Sequence, residues 1–518
     1  MTLARPMLAV LSLSATLVGR QVPERASFYL VSHALGGTDT VVSERSSRTA
    51  AELRGEFLAA GTRIAYVATL TTGALITRLE VHTYRPATDT VGTTATFTVL
   101  GDSVLTQVGT APPVRRPGAA GGLLVINPSV AFFEQVLLRA AALGGDSAGF
   151  PVLVVGAPAA LPMVVTRAGK DSAVMRLAGV SIPVAVSPTG RLLGGAIPAQ
   201  GISIIRGPAL GALVAERHDY SAPPGAPYIA EEVVVRAPSG LRLTGTLTLP
   251  ARVVRAPAVV TITGSGPEDR DEESFALRGY RPFRELADTL TRRGIAVLRL
   301  DDRGVGGSDP GPSTATSRDF ADDIRAGVAY LRTRPEIAGD RIGLVGHSEG
   351  GIIAPMIATT DPALRAIVLL AGTASPGRDI LRAQRLYAID SMAHLTGGRR
   401  DSALAQAARS VDSMAGRVPW MKFFLEYDPT AAARRVKTPV LILQGRTDRQ
   451  VPPAEADRLA AAFRAGGNRD VTLRFFPATN HLFVADSVGS FEYAKLPSLK
   501  VRPEVLSAIA DWLVARLR

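Results

Sequence analysis

Arg341-Ile-Gly-Leu-Val-Gly-His-Ser-Glu-Gly350 decides the fold of the second half of this 518-residue chain. Its first five residues are a short apolar run of strand type, and Gly350 opens a helical pattern that continues to Ala358. Between them Gly346-His-Ser-Glu-Gly350 matches Gly-x-Ser-x-Gly. A strand that turns straight into a helix forces the serine at the turn into a strained backbone conformation. Only small residues two positions either side let strand and helix come that close. The bare pattern is expected about 0.3 times by chance in a chain of this length and composition, so context has to decide. Gly145-Asp-Ser-Ala-Gly149 matches too, but it follows a helical pattern and precedes a strand, the wrong order. Ser348 is therefore the candidate nucleophile. The Glu349 amide, at a helix N-terminus, is a candidate donor to developing negative charge.

Working outward, the residues around this turn alternate strand and helix. Ala258–Thr263, Ile295–Leu300, Arg341–Val345, Ala366–Leu370 and Pro439–Leu443 are short, unbroken apolar runs of the kind buried on both faces of a parallel sheet. Helical patterns lie between them at Arg281–Arg293, Arg318–Arg332, Gly350–Ala358 and Pro453–Ala465. This predicts a doubly wound α/β domain with its site at the carboxyl ends of the strands.

A serine hydroxyl needs a base to take its proton. The second half offers His347, His394 and His481. His347 adjoins the serine and projects away from its hydroxyl at such a turn, and His394 falls in a helical insertion. His481 follows the strand-like Val471–Phe476 in a loop able to carry an imidazole over the strand ends, so it is the candidate base. Asp448 lies just past the strand Pro439–Leu443, where a buried carboxylate would fix the imidazole tautomer. Asp301 and Asp302 compete for that role, but they precede the serine and are expected to pin their own loop through Arg303. The second oxyanion donor is expected from Thr263-Gly-Ser-Gly-Pro267, with the Ser265 amide chosen and Gly266 the alternative.

The order Ser348, Asp448, His481 resembles that of the α/β-hydrolase superfamily. More narrowly, Gly264-Ser-Gly-Pro-Glu-Asp-Arg-Asp-Glu272 with Gly346-His-Ser-Glu-Gly-Gly351 is similar to the motifs of bacterial serine carboxylesterases that carry an extra N-terminal domain. The resemblance covers about residues 228–518. It implies a serine hydrolase acting on small acyl esters through an acyl-enzyme, with no metal or organic cofactor. A serine peptidase or amidase of the same fold, or an inactive binding protein, is the alternative. Many relatives have a histidine where this chain has Thr263, and Glu268-Asp-Arg-Asp271 is read as a structural salt-bridge network. An insertion at about residues 373–437 is long enough for a helical cap. Within it Trp420, Met421, Phe423 and Phe424 are candidates to line an acyl pocket.

The chain is 46% hydrophobic and 20% charged and has no cysteine, which excludes a disordered chain, a disulfide scaffold, thiolate metal sites and a cysteine nucleophile. Its net charge of +12 raises the question of nucleic acid, but five of the 58 basic residues are lysine and no run of five like charges occurs. Such an arginine excess is a codon-bias signature, and no nucleic-acid partner is expected. A composition break falls at the proline-rich 218–227. Residues 1–227 hold 18 basic and 13 acidic side chains, about 14% charged, and residues 228–518 hold 40 and 33, about 25%. Residues 23–217 alternate apolar and polar in short strands around one helix, Ser129–Leu143. They predict a β-rich antiparallel domain of the kind that holds lipids or serves as a rigid attachment. Residues 1–22 have the layout of an export signal, one arginine and then a 12-residue apolar run from Met7 to Val18. The protein is thus expected to be periplasmic or secreted, or cytoplasmic if that run is no signal. No later run is long enough to span a bilayer.

Overall fold

The computed structural model describes residues 23–517, apart from 34–38, 60–61, 86–88, 157–159, 178–179, 214–217, 274–276, 278, 313, 393, 415–417, 490, 492 and 494–495. The signal-like residues 1–22 lie outside the described residues. Two sheets organise the rest.

The first sheet has fifteen strands. From the edge strand Val114–Pro117 it runs back through consecutive neighbours to Glu24–Ser32, then passes to Ile202–Gly207 and back again to Leu123–Val125 at the far edge. Neighbours are antiparallel, except that Leu123–Val125 lies parallel to Ser147–Val154. Period-two burial shows why: in Val180–Val186, Ile182, Val184 and Val186 are buried while Ser181, Pro183 and Ala185 face out. The buried face closes on the helix Val130–Leu143 through Phe28, Phe57, Tyr66 and Phe132, with the Tyr66 and Phe132 rings 5.1 Å apart. Glu44 locks the contact. Its fully buried carboxylate accepts from the Tyr66 and Ser129 hydroxyls and from the Val130 and Ala131 amides, so a side chain from the strand Asp39–Arg48 caps the helix.

The second sheet has eight strands in the order Tyr228–Arg236, Arg242–Pro250, Ala296–Leu300, Ala256–Ile262, Ile337–His347, Ala366–Leu370, Val440–Gly445 and Val471–Phe476. The first two are antiparallel to their neighbours and the other six are parallel. Successive strand residues alternate between two cores, which explains the unbroken apolar runs. Val260, Leu298, Leu344 and Ile367 pack on the helices Ser317–Thr333, Gly350–Ala358 and Ala454–Ala465. Val259, Val297, Val345 and Val368 pack on Pro282–Arg292 and Pro503–Leu517. The turns carrying Gly264, Ser348, Asp448 and His481 all leave the carboxyl ends of parallel strands. Between Ala366–Leu370 and Val440–Gly445 the chain forms the helices Gly377–Tyr387, Gly397–Met414, Pro419–Glu426 and Pro429–Ala433.

The proline-rich segment does not hang free. Tyr220 donates to Asp269 at 2.9 Å, and Arg284 donates to the carbonyls of Asp219 and Ser221, so the segment is docked beside the loop that follows Ala256–Ile262. No helix of the described residues is long and apolar enough to cross a membrane.

Candidate active site

Ser348 ends the strand Ile337–His347 with φ +52°, a left-handed conformation that costs a residue with a side chain about 1–3 kcal/mol. Its neighbours make this turn possible. A Cβ on Gly346 would stand 2.1 Å from the Gly350 carbonyl oxygen, and one on Gly350 would stand 2.2 Å from the Ile262 oxygen. The Ser348 amide is tied to the Leu370 oxygen at 2.8 Å, which fixes the turn to the next strand.

Asp448 and His481 meet on the adjacent loops. His481 Nδ1 lies 2.9 Å from Asp448 Oδ2, and since a carboxylate only accepts, the proton is on Nδ1 and Nε2 is left basic. Asp448 is fully buried and its oxygens are saturated with donors. Oδ1 accepts from the amides of Gln450 at 2.9 Å and Val451 at 2.8 Å, and Oδ2 accepts from Gln444 Nε2 at 2.8 Å.

Ser348, His481, Ser265 and Gly264 line one cavity of about 350 Å³, within the size range of small-molecule sites. Trp420, Met421 and Phe424 of the cap line it as well. Phe423 does not. At 100° per residue it sits on another face of its helix, stacked on Tyr427 with Arg318 over its ring. Gly266 also stands outside the cavity lining, in open space with φ +122°. No described residue accepts from the Ser265 or Glu349 amide.

The Gly264 amide is engaged, accepted at 2.9 Å by both Glu268 Oε2 and Glu272 Oε1. Burial, together with Glu272 and Asp302, pushes the Glu268 carboxyl well above the usual range. Burial likewise pushes Asp302 up to about 8. Asp302 accepts from the Thr263 hydroxyl at 2.8 Å and from the Glu268 amide at 3.0 Å. Thr263 therefore braces the loop from below. Glu349 has a buried carboxylate that accepts from Ser317 at 2.6 Å and from Trp420 Nε1 at 2.9 Å. One side chain thus joins the nucleophile turn, the cap and the helix Ser317–Thr333.

The expectation that Asp301 and Asp302 act through Arg303 is corrected. Asp301 takes a bidentate contact from Arg270, with Nε 3.0 Å from Oδ1 and Nη2 2.9 Å from Oδ2, while Arg303 donates to Asp323 at 2.7 Å. Arg270 sits nearer because its own amide also bonds Asp301 at 2.9 Å. Asp271 pairs with Arg299 and Arg281. His347, not a site residue by the sequence reading, has its ring 4.8 Å from that of His481, and its nitrogens contact Glu272 and the His481 carbonyl. The available signal was the spacing of two motifs, a glutamate eight residues beyond Gly264 and a histidine just before the serine. His218, Asp269 and Glu273 gather within 4.8 Å, the one metal-sized group among the described residues. Its carboxylates already take Tyr220, three backbone amides and Arg281, so cationic and donor partners are in place.

With this geometry described, residues 279–487 match the family model for serine aminopeptidase, S33. The matched segment runs from the helix Pro282–Arg292 through the nucleophile turn and the cap to just past His481. The second domain has the α/β-hydrolase fold. The chain is 28% identical over 279 residues to the esterase EstD of Thermotoga maritima, covering 52% of this chain and 65% of EstD. It is also 27% identical over 231 residues to dipeptidyl aminopeptidase BIII of Pseudoxanthomonas mexicana, covering 44% of this chain and 30% of that one. The chain thus spans less than two thirds of either relative. An esterase of Pyrococcus furiosus is a similar solved structure, 17% identical with a TM-score of 0.41, over 58% of this chain and 96% of that one.

Proposed function

We propose that the chain is a serine hydrolase that cleaves small carboxylic esters through an acyl-enzyme. Ser348 attacks the carbonyl carbon, and His481 Nε2 takes the hydroxyl proton and passes it to the leaving alcohol. Asp448 holds the imidazole in the tautomer that leaves Nε2 basic and balances the imidazolium. The amides of Ser265 and Glu349 receive the oxyanion. Water then enters by the same route, deprotonated by His481, and releases the acid. The observation that carries the reading is a left-handed serine on the same cavity as a histidine whose Nδ1 is held 2.9 Å from a buried aspartate. Trp420, Met421 and Phe424 supply apolar surface for the acyl group.

The test is a fluorophosphonate label with p-nitrophenyl butyrate as substrate. Labelling and hydrolysis by the wild type, both lost in Ser348→Ala, are expected; a folded wild type that does neither overturns the reading. The match to an aminopeptidase family supports a second reading, so aminoacyl-naphthylamides are assayed alongside. Faster cleavage of those than of the ester would make the protein a peptidase of the same machinery. The signal-like residues 1–22 support export, and N-terminal sequencing of protein from the periplasm or medium, starting beyond residue 18, is the expected result.

A further inference from the structure

The mechanism above leaves a buried pair unused, Glu272 and His347. His347 precedes the nucleophile in sequence, but its ring belongs to the general base. Nε2 lies 2.9 Å from the carbonyl oxygen of His481, and Nδ1 lies 2.7 Å from Glu272 Oε1. Both partners are acceptors. A neutral imidazole has one N–H and can serve only one of them, whereas an imidazolium serves both. Burial acts to lower the pKa of this ring, but the Glu272 charge and hydrogen bond, the His481 carbonyl and the Asp448 charge together outweigh it, holding the ring above its ordinary value. The same Glu272 oxygen accepts the Gly264 amide at 2.9 Å. The carboxylate therefore joins the oxyanion loop to His347, and His347 joins the nucleophile strand to the backbone of His481. The base is held at both ends, its ring by Asp448 and its main chain by His347.

We infer that His347 is a positioning residue: its imidazolium, neutralised by Glu272, fixes the His481 main chain and couples it to the oxyanion loop. This rests on the ester-hydrolase reading for its kinetic consequence, though the charge state of His347 stands apart from it. It also gives chemical roles to two parts of the sequence, the histidine of the nucleophile motif and the last glutamate of Gly264–Glu272. A misplacement of about 1 Å at a reacting group costs on the order of 100-fold in rate, which sets the expected size.

The experiment combines ¹⁵N-histidine NMR with steady-state kinetics on the full chain. In the wild type at pH 8 the His347 signal, assigned by its loss in His347→Gln, shows both ring nitrogens protonated. In Glu272→Gln that signal becomes one of a neutral ring, because the charge that balanced the imidazolium is gone while Nε2 still holds the His481 carbonyl. With p-nitrophenyl butyrate, His347→Leu lowers kcat about 100-fold and leaves KM within threefold. His347→Gln, which keeps a donor for the carbonyl, recovers at least fivefold of that loss. A neutral His347 in the wild type overturns the inference. So does a folded His347→Leu with kcat within threefold of wild type, or, should His347→Leu fail to fold, a His347→Gln no slower than wild type. If the wild type neither hydrolyses the ester nor takes the fluorophosphonate, the functional reading falls, and the NMR signature alone then decides the state of the pair.

Discussion

Asp448→Asn is the sharpest test of the assigned chemistry, because the structure dictates which way the new amide must face. The Gln450 and Val451 amides both donate to Oδ1, at 2.9 and 2.8 Å, so that position has to remain an oxygen. The new NH₂ group falls at Oδ2, opposite His481 Nδ1 and Gln444 Nε2, both donors in the wild type. Gln444 cannot simply flip to accept, since its Nε2 also donates to the Val451 oxygen at 3.1 Å and a flip would set two oxygens against each other. His481 must then accept at Nδ1 and carry its proton on Nε2, where it cannot act as a base. A wrong tautomer in unchanged geometry costs on the order of 10⁴-fold in kcat, about 5.4 kcal/mol of transition-state stabilisation. The assay is p-nitrophenyl butyrate hydrolysis at pH 7, with the thermal midpoint measured in parallel. A folded variant within tenfold of wild type would refute the assignment of Asp448 and send the search back to Asp301 and Asp302.

Trp420→Phe keeps the ring in the cavity but removes the N–H that Glu349 accepts at 2.9 Å, leaving a buried carboxylate one donor short; kcat/KM should drop about tenfold, more for hexanoate than for acetate esters, as read by a chain-length series. Glu44→Ala strips four donors in the N-terminal domain of their acceptor and should lower its stability by about 3 kcal/mol or more, seen as an early unfolding transition in calorimetry while esterase activity below that transition is unchanged. Burial holds Asp302 protonated up to about 8, so the folded state keeps a proton that the unfolded state loses near 3.8, and this group's contribution to stability falls as pH rises between those values. Asp302→Asn keeps the shape without the titration, and urea midpoints measured from pH 5 to 9 should fall less steeply than in the wild type.

The nucleophile turn was legible because its requirements are local. Gly346 and Gly350 stand where any side chain would collide with backbone, and strand, turn and helix follow one another in sequence. Helix Gly350–Ala358 and strand Ala366–Leu370 have the limits read from the apolar pattern, since fully buried elements leave nothing polar to blur their ends. Less legible were the antiparallel strands Tyr228–Arg236 and Arg242–Pro250, whose exposed Ile229 and Val234 interrupt the expected alternation, and the closing helix Pro503–Leu517. The error over Arg303 has a plain cause. Asp301 and Asp302 share a loop with it in sequence, but pairing across the sheet end places Arg270 against Asp301 from 31 positions away. Phe423 was grouped with its neighbours by composition, and helix geometry separates them. The role of His347 could not emerge from its own neighbours, because both of its partners come from distant loops.

The same cross-loop pairing changes what the charge of +12 means. Several arginines near the site are turned into carboxylates behind it: Arg270 into Asp301 and Glu232, Arg299 into Asp271, Arg303 into Asp323. Among the described residues lining the Ser348 cavity none is a lysine or arginine, whereas Glu268, Glu272 and Glu349 all reach it. A guanidinium beside Ser348 would form a ground-state contact with any carboxylate, product acid included, and would slow release. Amide donors do not hold an acid that way, because they are dipoles aimed at one oxygen position and not a net charge. These paired arginines are thus structural cross-links of the strand-end loops, and among the described residues the cavity is left with amide donors and a histidine beside Ser348.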